Sequence, residues 1–119
     1  MTDEALRAAA KQCAFFAQLE IDEHDHEERM TRPHFLWSWS KNLREESEWH
    51  ATTTAAYRRL ESGCRRAAER QPLNATHVKK LLTVERRLNA CAEKALYDWD
   101  YSVSCRGTLD EPEAPDPDL

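Results

Sequence analysis

Only three helix-breaking residues, Pro33, Gly63 and Pro72, occur in the first 105 positions. Gly and Pro are the strongest local punctuators of a chain. A sequence with so few of them cannot supply the turns of a β-sandwich or the loops of a parallel α/β fold, and Val and Ile are too scarce here for either. Long helices joined by few connections are what remains. With 119 residues the chain has the size of one domain.

Three helical stretches follow from these breakers. The first runs from about Asp3 towards Glu28, with Thr2 or Asp3 as N-cap and Glu4 near the positive end. The second starts near Pro33, a good first-turn residue. It passes through Gly63 towards Arg70, since one interior Gly costs only about 1 kcal/mol. Gln71-Pro72-Leu73-Asn74 breaks it, and Asn74 or Thr76 caps a third stretch reaching about Val103. Asn74-Ala-Thr76 also matches a glycosylation acceptor and is better read as this cap. From Arg106 onward the chain is acidic, with three prolines and almost nothing to bury, so residues 106–119 are expected to be a disordered tail. The fold class expected is all-α: a single domain over 1–105, a three-helix assembly built on a long antiparallel hairpin of the second and third stretches.

Apolar spacings of three and four support this reading. The second stretch has a seam through Leu36, Trp39, Leu43, Glu46, His50, Thr53, Tyr57, Leu60, Cys64 and Ala67. The third has one through Val78, Leu81, Val84, Leu88, Cys91, Ala95 and Trp99. The first stretch fits through Leu6, Ala9, Cys13 and Phe16, but Glu20, Glu23 and Glu27 continue that stripe, which predicts that its second half is solvated or leaves the bundle. Around the 71–74 turn, antiparallel pairing sets Tyr57 near Leu88, Arg65 near Lys80, Cys64 near Leu81 and Cys91 near Thr54. A tight turn at 31–32 would set Cys13 near His50.

The net charge of −5 is distributed in blocks. Residues 1–50 carry −5, residues 51–87 carry +6 and residues 88–119 carry −6. The expected molecule is electrically dipolar, basic at the tip of the hairpin and acidic at the other end.

Four groups of residues invite a functional reading. Phe35, Trp37 and Trp39 lie too close in sequence to share one helix face, and Tyr97, Trp99 and Tyr101 come to the same end. Trp and Tyr are favoured interface anchors, so these six are the expected partner-binding residues, with core packing as the alternative. Trp37→Ala or Trp39→Ala is expected to weaken partner binding or dimerisation more than stability; unfolding of both variants would make the aromatics core. Arg58, Arg59, Arg65, Arg66, Lys79, Lys80, Arg86 and Arg87 form the basic tip, suited either to nucleic-acid phosphates or to a solvated face balanced by Glu61, Glu69 and Glu85.

Glu46 and His50, four apart on an otherwise apolar stripe, suit a buried hydrogen-bonded layer or, with Cys13 and Cys91, a zinc site. Glu20, Glu23, His24 and His26 include a Glu-x-x-His step that resembles that of di-iron carboxylate bundles, though His24 and His26 project to different sides of a helix. Zinc or iron are therefore the only cofactors considered, and a solvated acidic helix is the simpler reading. The four cysteines, Cys13, Cys64, Cys91 and Cys105, lack metal spacing, and the pairings above set none of Cys64 and Cys91 against another cysteine; they read as small thiols, buried except for Cys105.

No Gly-rich phosphate loop, nucleophile elbow or glycosidase-like carboxylate pair occurs, so the chain is not expected to be an enzyme. No run is long and apolar enough to span a membrane, and no signal-peptide pattern opens the chain, which points to a cytoplasmic protein. The function expected is a non-enzymatic interaction module: a small regulator, adaptor or inhibitor, homodimeric, acting on a protein partner through an aromatic and acidic surface. An acidic end can imitate nucleic-acid phosphates, as in small phage-encoded inhibitors. The alternatives are nucleic-acid binding through the basic tip and metal binding in a ferritin-like or zinc site.

Overall fold

The computed structural model describes the backbone of residues 1–35 and 41–95, and the side chains of residues 1–26 and 51–92. The described residues form three α-helices and no strand: α1 (Asp3–Phe35), α2 (Lys41–Glu69) and α3 (Ala75–Ala95). None of these helices is long and apolar enough to cross a membrane. The described part measures 53 × 25 × 24 Å, and its long axis matches the about 50 Å that a 33-residue helix spans.

Local chemistry sets the helix ends. Thr2 is the N-cap of α1: its Oγ1 accepts from the Ala5 N–H at 3.1 Å and its carbonyl from the Leu6 N–H at 3.0 Å. Asn74 does the same for α3, accepting from His77 N–H at 3.0 Å through Oδ1 and from Val78 N–H at 3.1 Å through its carbonyl. The Gln71–Pro72 peptide between α2 and α3 is cis. Gly63 lies within α2, as expected from the small cost of one interior glycine.

Two sequence expectations are corrected. First, Pro33 does not open the second helix. It lies inside α1, which is described as far as Phe35, and α2 is described from Lys41. A proline at this point removes one backbone hydrogen bond of the helix and is a local cost, but it does not stop α1. The α1–α2 pairing is consequently shifted by about four turns from the one a 31–32 turn would give. Arg7 faces Ala68 and Arg70, Cys13 faces Cys64, and Asp25 faces Arg58. His50 then sits about 14 residues, roughly 21 Å, along α2 from the level of Cys13, so the two are not neighbours.

Second, the buried stripe of α1 is Leu6, Ala10, Cys13, Ala17, Ile21 and His24. It does not pass through Ala9 and Phe16. Burial of Ile21 and His24 shows that α1 keeps its contact with the bundle at least as far as His24. Asp22 and Glu23 are exposed, and Glu20 is half-buried beside His24.

The core joins this stripe to Ala56, Tyr57, Leu60, Cys64, Ala67 and Ala68 of α2 and Val78, Leu81 and Leu88 of α3. Where side chains are described, the seams read for α2 and α3 are the buried ones, from Thr53 to Ala67 and from Val78 to Cys91, although Val84 is only half-buried; Leu36, Trp39, Leu43, Glu46, His50, Ala95 and Trp99 lie outside the described side chains. The most extensive helix pairing is between α1 and α2. The long antiparallel hairpin at the centre of the fold is therefore α1–α2, and α3 folds back antiparallel to α2 and parallel to α1. Small buried residues suit the α1–α2 pairing: Ala10, Cys13 and Ala17 on α1 and Gly63, Cys64 and Ala67 on α2, with Cys13 in contact with Cys64.

Candidate functional site

The inner faces of the helices carry three polar features. Near the open end of α2, the Arg7 guanidinium donates to the carbonyls of Ala68 and Arg70, the latter at 3.1 Å. These are carbonyls that the end of α2 leaves without helical partners, at the negative end of its dipole. One turn and a half further on, Cys64 Sγ donates to Cys13 Sγ at 2.7 Å. Cys13, Cys64 and Cys91 are all buried and all free. The reading that Cys64 faces no other cysteine is corrected here: it looked only across the α2–α3 turn, and the partner comes from α1. Contact with Cys64 is the largest cause that pushes the Cys13 thiol pKa up, followed by burial and the nearby Glu85.

The third feature is a layer around Tyr57. Its hydroxyl donates to Asn89 Oδ1 at 2.7 Å, within one residue of the level at which the sequence places it on α3. Its ring stacks on His24, with centroids 6.0 Å apart and planes at 24°. His24 Nε2 lies 3.8 Å from Glu20 Oε2. Burial raises the Tyr57 pKa, helped by the negative charge of Glu20 and Glu85.

This layer divides the acidic candidates of α1. Glu20 and His24 turn inward, whereas Glu23 and His26 are exposed on other sides of the helix. Among the described residues, no three His, Cys, Asp or Glu side chains converge as a metal-binding group. Glu46 and His50 belong to α2, and their side chains lie outside the described residues.

The outer face of α1 has a different character. Phe15, Phe16 and Leu19 are 61%, 47% and 48% exposed. The two phenylalanine rings meet edge to face with centroids 5.6 Å apart. One turn further along, Asp22 and Glu23 are exposed as well. This is a continuous strip, apolar and then acidic. Phe16 also forms one wall of a groove of about 710 Å³ between α1 and α3, whose other walls include Leu6, Cys13, Lys79, Leu82 and Arg86. Sequence reading placed Phe16 in the seam and so missed the strip. The signal was present: adjacent phenylalanines on a helix are about 100° apart and cannot both enter a narrow core.

The basic residues lie where the sequence suggests, on the outer faces of α2 and α3. Arg58, Arg65, Arg66, Lys79, Lys80, Arg86 and Arg87 are exposed, and Arg59 is half-buried. Some of their charge is met internally: Arg58 lies 3.4 Å from Asp25 Oδ2, and Arg65 lies 3.1 Å from Glu61 Oε1. Of the expected aromatic cluster, Phe35 ends the backbone of α1, while its side chain and residues Trp37, Trp39, Tyr97, Trp99 and Tyr101 lie outside the described residues, as does the tail 106–119. No protein-family model, curated protein or solved structure matches this chain.

Proposed function

We propose that the chain is a non-enzymatic protein-interaction module, a small regulator, adaptor or inhibitor, and that the outer face of α1 is its contact surface. The observation that carries this reading is the exposure of Phe15, Phe16 and Leu19 on one side of a helix whose opposite side is fully engaged in the core. Exposed aromatic groups clustered on a rigid helix suit an interface anchor, since little entropy is lost when they dock. The acidic residues Asp22 and Glu23, one turn away, set the chemistry of the partner: an apolar cleft bordered by basic side chains. Electrostatic complementarity of that kind governs orientation and encounter rate more than affinity.

A photo-reactive side chain placed at Phe15 or Leu19 in the cells that make the protein tests this. It should yield one stoichiometric protein adduct. Reconstituted from purified components, that complex should weaken about tenfold or more for Phe15→Ala/Leu19→Ala, with little change in the melting temperature of the chain. Unchanged affinity would refute the reading. A second copy of the same chain as the adduct would make the surface a homodimer interface instead.

A second reading, nucleic-acid binding, is favoured by the exposure of Arg65, Arg66, Lys79, Lys80, Arg86 and Arg87 on the outer faces of α2 and α3. Binding of this type falls steeply with salt. It should be abolished when Arg65, Arg66, Lys79 and Lys80 are made neutral. No mobility shift with DNA or RNA at low salt would eliminate it.

A further inference from the structure

We propose that Cys13 and Cys64 form a disulfide site, a reversible covalent staple between α1 and α2 made by exchange with a small disulfide such as oxidised glutathione. Three observations converge on it. The two sulfurs are 2.7 Å apart on neighbouring helices. Both thiols are free and buried in the core. Cys13 also lines the groove between α1 and α3, although only 1% exposed, so a small reagent seated there needs a local parting of side chains and not the opening of the hairpin to reach this thiol. Cys91 shares the burial, but no sulfur contact to it matches this one, and the α2–α3 register sets it near Thr54.

The chemistry balances as two exchanges. The thiolate of Cys13 attacks the small disulfide, forming a mixed disulfide and releasing one small thiolate, which takes up a proton. Cys64 loses its proton and attacks Cys13 Sγ of the mixed disulfide, forming the Cys13–Cys64 bond and releasing the second small thiol. The protein gives up two electrons and two protons, and the small disulfide is reduced to two thiols. Because Cys64 and burial raise the Cys13 pKa, the attacking thiolate is scarce at neutral pH. The first step is accordingly the slow one.

The bond would close a loop between positions 51 apart in sequence. A cross-link over a loop that long restricts the unfolded chain strongly and should raise the melting temperature by about 10 °C. It would fix the two helices that carry most of the core, and it works whether or not the outer face of α1 binds a partner.

The test uses the full chain, reduced, desalted and equilibrated with oxidised glutathione. Intact mass should fall by about two hydrogen masses per molecule, and digestion without reductant should yield one cross-linked pair containing Cys13 and Cys64. The variant Cys91→Ala/Cys105→Ala keeps the proposed pair and should give the same cross-link with the higher melting temperature. The same reaction in denaturant serves as the reference for random pairing. The proposal is overturned if the folded chain gives only glutathione adducts, if the folded double variant stays reduced while its denatured form cross-links, or if the main pairing involves Cys91 or Cys105.

Discussion

At the residue scale, single side chains hold the helices in register through groups that a periodicity argument does not weigh. Arg7 is the clearest case. Its Nη1 alone donates to two carbonyls at the end of α2, at a reach one bond longer than that of a lysine ammonium. Arg7→Ala should cost about 1–2 kcal/mol in chemical denaturation, and Arg7→Lys should recover only part of it. An Arg7→Ala chain as stable as the parent would show that water satisfies those carbonyls equally well. In the sequence Arg7 is one cation among seventeen. Its role depends on where α2 ends in space, which no local pattern states.

Tyr57 gives a pH test at the same scale. Burial raises its folded pKa above the unfolded value near 10, so the fold favours the neutral phenol. That contribution is complete below about pH 10 and is lost as pH rises above it. Tyr57→Phe removes the hydrogen bond to Asn89 and should lower stability by about 1 kcal/mol at neutral pH. The gap between parent and variant should shrink between about pH 10 and 11. A constant gap across that range would mean that the phenol ionises as readily in the folded chain as in the unfolded one.

At the scale of elements, the helices were legible from the sequence and their pairing was only half so. The turn at Gln71–Asn74 is marked by Pro72 and the Asn74 cap, and the α2–α3 register read from it is confirmed by the Tyr57–Asn89 bond. Asn74→Ala should cost about 1 kcal/mol through the lost cap, measured as a shift in denaturation midpoint. The α1–α2 connection carries a misleading mark. Pro33 favours the start of a helix, yet α1 runs through it to Phe35, and the register that goes with this is fixed far away, by Cys13 facing Cys64 and Asp25 facing Arg58.

The stripe of α1 went astray for a related reason. From Cys13 the next inward residue is either Phe16 or Ala17, and hydrophobicity favours the phenylalanine. The close approach of α1 and α2 favours the alanine, because a large ring has no room there. Ala17→Leu should therefore destabilise the protein by about 1–3 kcal/mol despite the good helix propensity of Leu. A stabilised Ala17→Leu variant would show that the interface has space to spare.

At the scale of the whole molecule, α1 presents two faces of different composition. One joins the small residues of α2. The other exposes Phe15, Phe16 and Leu19, followed by Asp22 and Glu23. The sequence reading set an aromatic surface on residues 35–39 and 97–101, whose side chains lie outside the described residues, and did not foresee the exposed pair Phe15 and Phe16. Which aromatics face outward depends on the α1 stripe, and a shift of one residue at Cys13 moved Phe16 from core to surface. The exposure of the basic residues on α2 and α3 was easier to read, because blocks of like charge survive small errors of register. Native mass spectrometry of the untagged chain, purified without chelator beside Phe15→Ala/Leu19→Ala, tests the central claim most directly. A bound protein partner retained by the parent and lost by an equally stable variant is the expected result. A parent carrying no protein partner, or carrying one that the variant holds just as tightly, would contradict it.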